Sequence, residues 1–189
     1  MRKVLGIVAE YNPFHNGHFY HMQESKKITE ADSCICVISG NFTQRGEPSI
    51  VNKWAKTYMA LCCGADLVIE LPTIYSISSA ENFASGAIKI FDSLKIVTDI
   101  SFGAECNDLA TLNNIANVFY SEPANYKTIL NHELKRGLSY PMARENAVLM
   151  YLNDIKRYAN VLSNSNNILA IEYLKALKQQ KSMIQPNIV

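Results

Sequence analysis

Apolar residues along the chain alternate between short continuous runs and stretches with helical spacing. Lys3 to Ala9 is a nearly unbroken apolar run, the pattern of a strand buried on both faces. Asn12-Pro13-Phe14-His15-Asn16-Gly17-His18 punctuates it, and a polar helical stretch follows to about Thr29. Cys34 to Ile38 predicts a second buried strand, closed by Ser39-Gly40-Asn41. From Ser49 to Cys63, the residues Val51, Trp54, Ala55, Tyr58, Leu61 and Cys62 recur at helical spacing, with Gly64 placed as a C-terminal stop. Leu67 to Leu71 predicts a third strand, ended by Pro72. Ser78-Ser79-Ala80-Glu81 matches a capping box and opens a helix with Ala80, Phe83, Ala84, Ala87, Ile88 and Phe91 on its apolar face. Asp99 to Phe102 predicts a short fourth strand, stopping at Gly103.

Beyond about residue 107 the pattern turns helical. Helices are expected over Asp108–Phe119, from Pro123 to Gly137, and within Pro141–Tyr158. A last helix starts at Asn166-Asn167, with Ala170, Tyr173, Leu174 and Leu177 on one face. Ser182 to Val189 reads as a weak fifth strand. The expected fold class is therefore α/β: a Rossmann-like open parallel sheet with helices on both faces, followed by a helical segment. Such sheets bind ligands beyond the carboxyl ends of their strands, at a switch point in strand order. Three loops leaving those ends are unusual: 10–18, 39–48 and 101–106.

Composition narrows the class. The chain has 189 residues, 48% of them hydrophobic, which is too apolar for a disordered chain and allows one domain. Its formal charge is +1, which argues against a protein held to nucleic acid by bulk charge alone. The five cysteines are Cys34, Cys36, Cys62, Cys63 and Cys106; the odd count and the lack of a Cys-x-x-Cys pair favour a reducing compartment over disulfides or structural zinc. No stretch approaches the ~20 apolar residues of a membrane span, and the apolar run at the N-terminus is too short for a signal peptide. A cytoplasmic protein with no membrane partner is expected.

The first loop puts two of the chain's four histidines beside Gly17 at the start of a helix. A helix N-terminus offers free N–H groups and partial positive charge to a phosphate, and two imidazoles there can donate to phosphate oxygens as charge builds on them. A surface turn with incidental histidines is the alternative. Metal ligation by His15, His18 and His21 is disfavoured, because no Cys or Glu partner is suitably spaced; no metal held by protein side chains is expected, and His21 reads as a helix-surface residue. The second loop, Ser39-Gly40-Asn41-Phe42-Thr43-Gln44-Arg45-Gly46-Glu47-Pro48, sets amide and guanidinium groups between glycines. These can hold a carboxylate, a phosphate or a base edge, or Arg45 can simply be solvated.

The first loop resembles the His-x-Gly-His signature of the nucleotidylyl transferase superfamily. The run Val8 to His18 together with Ser39 to Pro48 narrows this. With Asp66 to Pro72, Ser79-Ala80-Glu81, Ser101 to Glu105 and Asn166-Asn167-Ile168-Leu169 following in order, the chain resembles the tRNA(Met) cytidine acetate ligase family along its whole length. The resemblance implies a nucleotidylyl-transferase-type fold. It also implies that ATP and acetate form acetyl-adenylate with release of pyrophosphate, and that the acetyl group passes to N4 of the wobble cytidine of elongator tRNA(Met). ATP, accompanied by Mg2+, is then the substrate nucleotide, with acetate and elongator tRNA(Met) as partners. Ile7, Val8, Ala9, Glu10, Tyr11, Asn12, Pro13, Phe14, His15, Asn16, Gly17, His18, Phe19 and Tyr20 would wrap the nucleotide. His15 and His18 would serve catalysis, Gly103 would lie against the nucleotide, and the Asn166-Asn167 pair would touch it, cap its own helix, or do both.

Ser39, Asn41, Gln44 and Arg45 are the candidates for the acceptor side. Members of the family are roughly twice as long as this chain and carry an arginine-ending ATP motif and a basic tRNA-binding region further on. Ile77-Ser78-Ser79 resembles part of that motif but opens the wrong helix and lacks the arginine. The expectation is an N-terminal catalytic domain spanning 1–189, without the family's C-terminal half. Two other functions fit the residues: an adenylyltransferase for another small acceptor, and a non-catalytic nucleotide- or RNA-binding module.

Overall fold

The computed structural model describes residues 2–189. Five strands form one sheet: β1 (Val4–Ala9), β2 (Ser33–Ser39), β3 (Leu67–Leu71), β4 (Asp99–Phe102) and β5 (Gln185–Ile188). Their order is β3-β2-β1-β4-β5 and every pairing is parallel. The strand order turns back between β1 and β4, so the loops leaving these two strands flank the switch point where α/β sheets bind ligands.

Period-two alternation splits the core between two faces. Leu5, Ile7, Cys34, Cys36 and Ile38 pack with Met22 and Ala60 beneath α1 (Asn16–Thr29) and α2 (Lys53–Cys62). Ile35, Val37, Ile100 and Phe102 face the other way, onto α4 (Ala80–Leu94), α5 (Leu109–Ser121) and α9 (Ser165–Gln179). Gly6 is required on β1 because a Cβ there would come within 3.0 Å of the Phe91 ring lying across it. The short α3 (Thr73–Ser76) precedes α4. A hairpin of α6 (Ala124–Lys135) and α7 (Tyr140–Leu152), with the one-turn α8 (Ile155–Tyr158), completes the chain. The helical segment shares the core: Leu112, Ile115, Tyr126, Val148 and Tyr158 are buried in one cluster with the sheet residues.

Three expectations are corrected. The first helix after β2 begins at Lys53 rather than Ser49, because Ser49 to Asn52 belong to the preceding loop; Asn52 caps it, accepting the Ala55 N–H at 2.9 Å. The stripe read along that helix does not face the core. Trp54 is 73% and Tyr58 71% exposed, and the buried residues are Lys56 and Ala60. The helix flanks an edge strand, and its small residue, not its aromatic ones, meets the sheet. Helix α4 is capped by Ser79, one residue later than the capping-box reading; Ser78 Oγ instead accepts the Asn82 side-chain amide at 2.9 Å, and Glu81 pairs with Lys175 at 2.7 Å.

Candidate nucleotide site at the strand ends

The loop after β1 builds itself from local bonds. His15 is the N-cap of α1, and its Nδ1 accepts the Gly17 N–H at 3.0 Å; His18 Nδ1 accepts the His15 N–H at 3.3 Å. Two imidazoles thus take the reciprocal roles that a serine and a glutamate fill in an ordinary capping box. An Nδ1 that accepts carries no proton, so in the neutral ring the proton sits on Nε2. Each histidine is thereby left with Nε2–H as a donor. The rings stack with centroids 3.7 Å apart. Tyr11 and Phe14 close around His18 at 4.9 and 5.6 Å. Burial, and then the neighbouring His15 and His21, push the His18 pKa down to about 4, which keeps the ring neutral at physiological pH.

Gly17 serves this arrangement directly. A Cβ at that position would lie 2.9 Å from His15 Cε1, inside the space the ring needs. Tyr11 anchors the loop from below. It is buried, its backbone is left-handed at φ 47°, and its hydroxyl lies 3.5 Å from Cys36 Sγ. A non-glycine residue in that region costs free energy, which the buried ring offsets.

These residues open onto a cleft of about 780 Å³ at the carboxyl ends of β1 and β4. Of the segment expected to wrap a nucleotide, Ile7, Val8, Ala9, Glu10, Tyr11, Asn12, His15, Gly17 and His18 line it, as do Gly103 and Asn166. Pro13, Phe14, Asn16, Phe19 and Tyr20 do not, and Phe14 supports the site only through its packing on His18. A Cβ on Gly103 would meet nothing closer than the Val189 carbonyl at 3.9 Å, so the space beside it is open to a ligand.

From the loop after β2, Gln44 and Arg45 line the cleft, whereas Ser39 and Asn41 do not. Ser39 is buried, and Asn41 Oδ1 is occupied by the Lys53 N–H at 2.9 Å. The asparagine pair also divides. Asn166 lines the cleft in the first turn of α9, but Asn167 is buried, accepting the Cys106 N–H at 2.8 Å and donating to the Val161 carbonyl at 3.1 Å. Neither caps α9: Asn164 holds that position, and the Glu105 carboxylate takes the Asn167 N–H at 3.0 Å.

Several lining residues escaped the sequence reading. His21 lines the cleft instead of the outer helix surface, and burial lowers its pKa. Thr43 and Tyr173 line it too. The Thr43 Oγ1, Tyr173 hydroxyl and His21 Nε2 atoms are buried without a hydrogen-bond partner among the described residues. Orphaned polar atoms are costly to bury, and their concentration around one cleft marks it as a place for a polar ligand. The Leu169–Tyr173 spacing on α9 was the one available signal, since i and i+4 share a helix face. The N-termini of α1 and α9 both reach this cleft, adding partial positive charge from two directions. A second cleft of about 800 Å³ lies at the other end of the sheet, between Arg2, Thr98, Lys181 and their neighbours, and is lined by none of the candidate site residues.

The comparisons with known proteins agree with this geometry. A relative from Acetivibrio thermocellus named tRNA(Met) cytidine acetate ligase is 58% identical over 97% of this chain and 44% of its own length. One from Thermoanaerobacter sp. with the same name is 55% identical over 97% of this chain and 45% of its own. The crystal structure of Thermotoga maritima TmcAL bound with alpha-thio ATP superposes with a TM-score of 0.93 at 40% identity, covering 99% of this chain and 46% of that one. The chain thus spans about half the length of the curated relatives it matches. The HIGH Nucleotidyl Transferase family model matches residues 2–189, and with the paired histidines at the switch point of a parallel sheet, the chain belongs to that family.

Proposed function

We propose that this chain carries the adenylate-forming site of an ATP-dependent ligase that acetylates N4 of the wobble cytidine of elongator tRNA(Met). The observation that carries the reading is the pair of stacked imidazoles, both held through Nδ1 and both left with a free Nε2 donor, at a helix N-terminus in a cleft of nucleotide size. The relatives' name and the ATP analogue bound by the Thermotoga protein support it.

In the first step an acetate oxygen attacks the α-phosphorus of ATP. The bond from that phosphorus to the bridging oxygen breaks, and pyrophosphate leaves with the electron pair. Negative charge grows on the phosphoryl oxygens and on the leaving group. The Nε2–H groups of His15 and His18 donate to them most strongly at that moment, which lowers the barrier rather than merely binding substrate. In the second step the cytidine amine attacks the acetyl carbonyl, the carbon–oxygen bond to AMP breaks, and the amine loses a proton. Among the described residues no group of three or more His, Cys, Asp or Glu side chains is arranged to hold a metal ion. On this reading Mg2+ would accompany ATP through its phosphates. Gln44 and Arg45 line the same cleft from the loop after β2 and are the acceptor-side residues on this reading. Cytoplasmic action on tRNA follows from the same proposal; among the described residues no helix is long and apolar enough to cross a membrane.

The test is acetate-dependent exchange of labelled pyrophosphate into ATP, which is expected. A dinucleotide product in the mass spectrum would instead identify an adenylyltransferase for another acceptor. ATP binding with no exchange would identify a non-catalytic module. At formal charge +1 the chain brings little phosphate neutralisation. Residues 1–189 alone are expected to bind tRNA weakly, with binding that falls steeply as salt is added.

A further inference from the structure

Lys56 is fully buried, and among the described residues no carboxylate pairs with it. Its Nζ donates to the Ser49 hydroxyl at 2.7 Å, the Gly40 carbonyl at 3.0 Å and the Ser39 carbonyl at 3.4 Å. Those acceptors stand at the two ends of the 39–49 loop. The Glu10 carboxylate accepts the Gln44 N–H at the loop's middle. Asn12 Oδ1 takes the Ile50 N–H at 2.7 Å, tying the end of the same loop to the histidine segment. The loop itself is a short antiparallel ribbon around a Phe42–Pro48 bridge: the Thr43 N–H reaches the Glu47 carbonyl and the Ser49 N–H the Asn41 carbonyl, while the Gly46 N–H closes the turn on the Thr43 carbonyl, all at 2.9 Å.

An ammonium group is costly to remove from water, and burial pushes the Lys56 pKa down against the pull of nearby Glu10. A lysine kept in such a place does something an apolar residue could not. Here its donors join the Ser39–Gly40 carbonyls to the Ser49 hydroxyl, fastening both stems of the ribbon to α2 next to the Asn41–Ser49 backbone pair. We infer that Lys56 is a positioning residue, which clamps both ends of the 39–49 loop so that Gln44 and Arg45 are held over the cleft for the substrate that meets the nucleotide. This inference rests on the adenylate-forming reading for the identity of that substrate, a small carboxylate, but the clamp itself does not depend on it.

Two variants test the inference. Lys56→Met keeps the apolar stem and removes all three donors; Ser49→Ala removes one acceptor at the loop's end. Amide hydrogen exchange on the 189-residue chain should accelerate at residues 41–49 in both variants, with β1 and β2 amides unchanged. ATP affinity by calorimetry should stay within about twofold of the parent, while the KM for acetate in pyrophosphate exchange rises, by up to about 10²-fold in Lys56→Met and less in Ser49→Ala. Lys56→Arg, which restores charged donors, should recover part of the loop protection. If Lys56→Met fails to fold, Ser49→Ala alone decides. Unchanged loop exchange, or ATP affinity falling in step with the acetate KM, would overturn the proposal. If the parent chain shows no acetate-dependent exchange, the functional reading fails, whereas the exchange pattern of the loop amides still judges the clamp.

Discussion

The cleft has two walls made in different ways. The histidine wall is closed by bonds spanning two and three residues, from Gly17 to His15 and from His15 to His18. The wall carrying Gln44 and Arg45 has its own short ribbon but is fixed to the fold by bonds spanning 7 to 38 residues, to Lys56, Glu10 and Asn12. A locally bonded wall costs little chain entropy to order and presents its donors in one geometry. A wall held at a distance depends on the rest of the fold. On the proposed reading, the chemistry that tolerates least misplacement, donation to a developing phosphoryl charge, falls to the locally bonded wall.

The sharpest break in this contrast is His18→Ala or His15→Ala. Either should slow adenylate formation by roughly 10²–10³-fold while ATP affinity changes far less, as for the loss of an oxyanion donor. Single-turnover rates near the parent's would remove the histidines from catalysis. Gly17→Ala should follow at about 10- to 10²-fold, because the added Cβ displaces the His15 ring without deleting it. A crystal structure of that variant with the ring undisturbed would refute the steric argument.

A smaller effect concerns pH. The His18 pKa is about 4 in the folded chain against an unfolded value of 6.5, and that of His21 is lowered too. The unfolded chain therefore binds more protons, so stability should be flat above about pH 6.5 and decline as pH falls from there through 4. Urea midpoints at pH 7 and pH 5 measure the decline, and His18→Gln should make it shallower. Smallest of all, Trp54→Gln with Tyr58→Gln should change stability by no more than about 0.5 kcal/mol per site, since both side chains project into solvent. A larger loss would mean that α2 packs through its aromatic stripe after all.

What could be read from the sequence follows the same division. The strands were legible because a strand buried on both faces is an apolar run whatever surrounds it. The His15–His18 site was legible because its partners lie within three residues. The buried face of α2 was not. Periodicity assigns Trp54, Tyr58 and Leu61 to the inside, whereas the Ser49 hydroxyl and the distant carbonyls of Ser39 and Gly40 explain why Lys56 is buried instead. Asn167 misled for a like reason: its amide is spent on Cys106 and Val161, contacts invisible in the local pattern. Tyr173 counted as an apolar residue of α9; its spacing from Leu169 hints at a shared face, but not that its hydroxyl is left without a partner beside the cleft.

The exposure of Trp54 also makes it an optical probe. It is the chain's single tryptophan, and in the folded protein it already sits largely in water at 73% exposure. Its emission should be red-shifted in the native state and move little on heating, so fluorescence would report a folded chain as though it were unfolded. Circular dichroism should show the melting transition that tryptophan misses. The same ring becomes a sensitive reporter of anything that covers α2: a blue shift on mixing with another molecule would locate the contact on that one helix without any label.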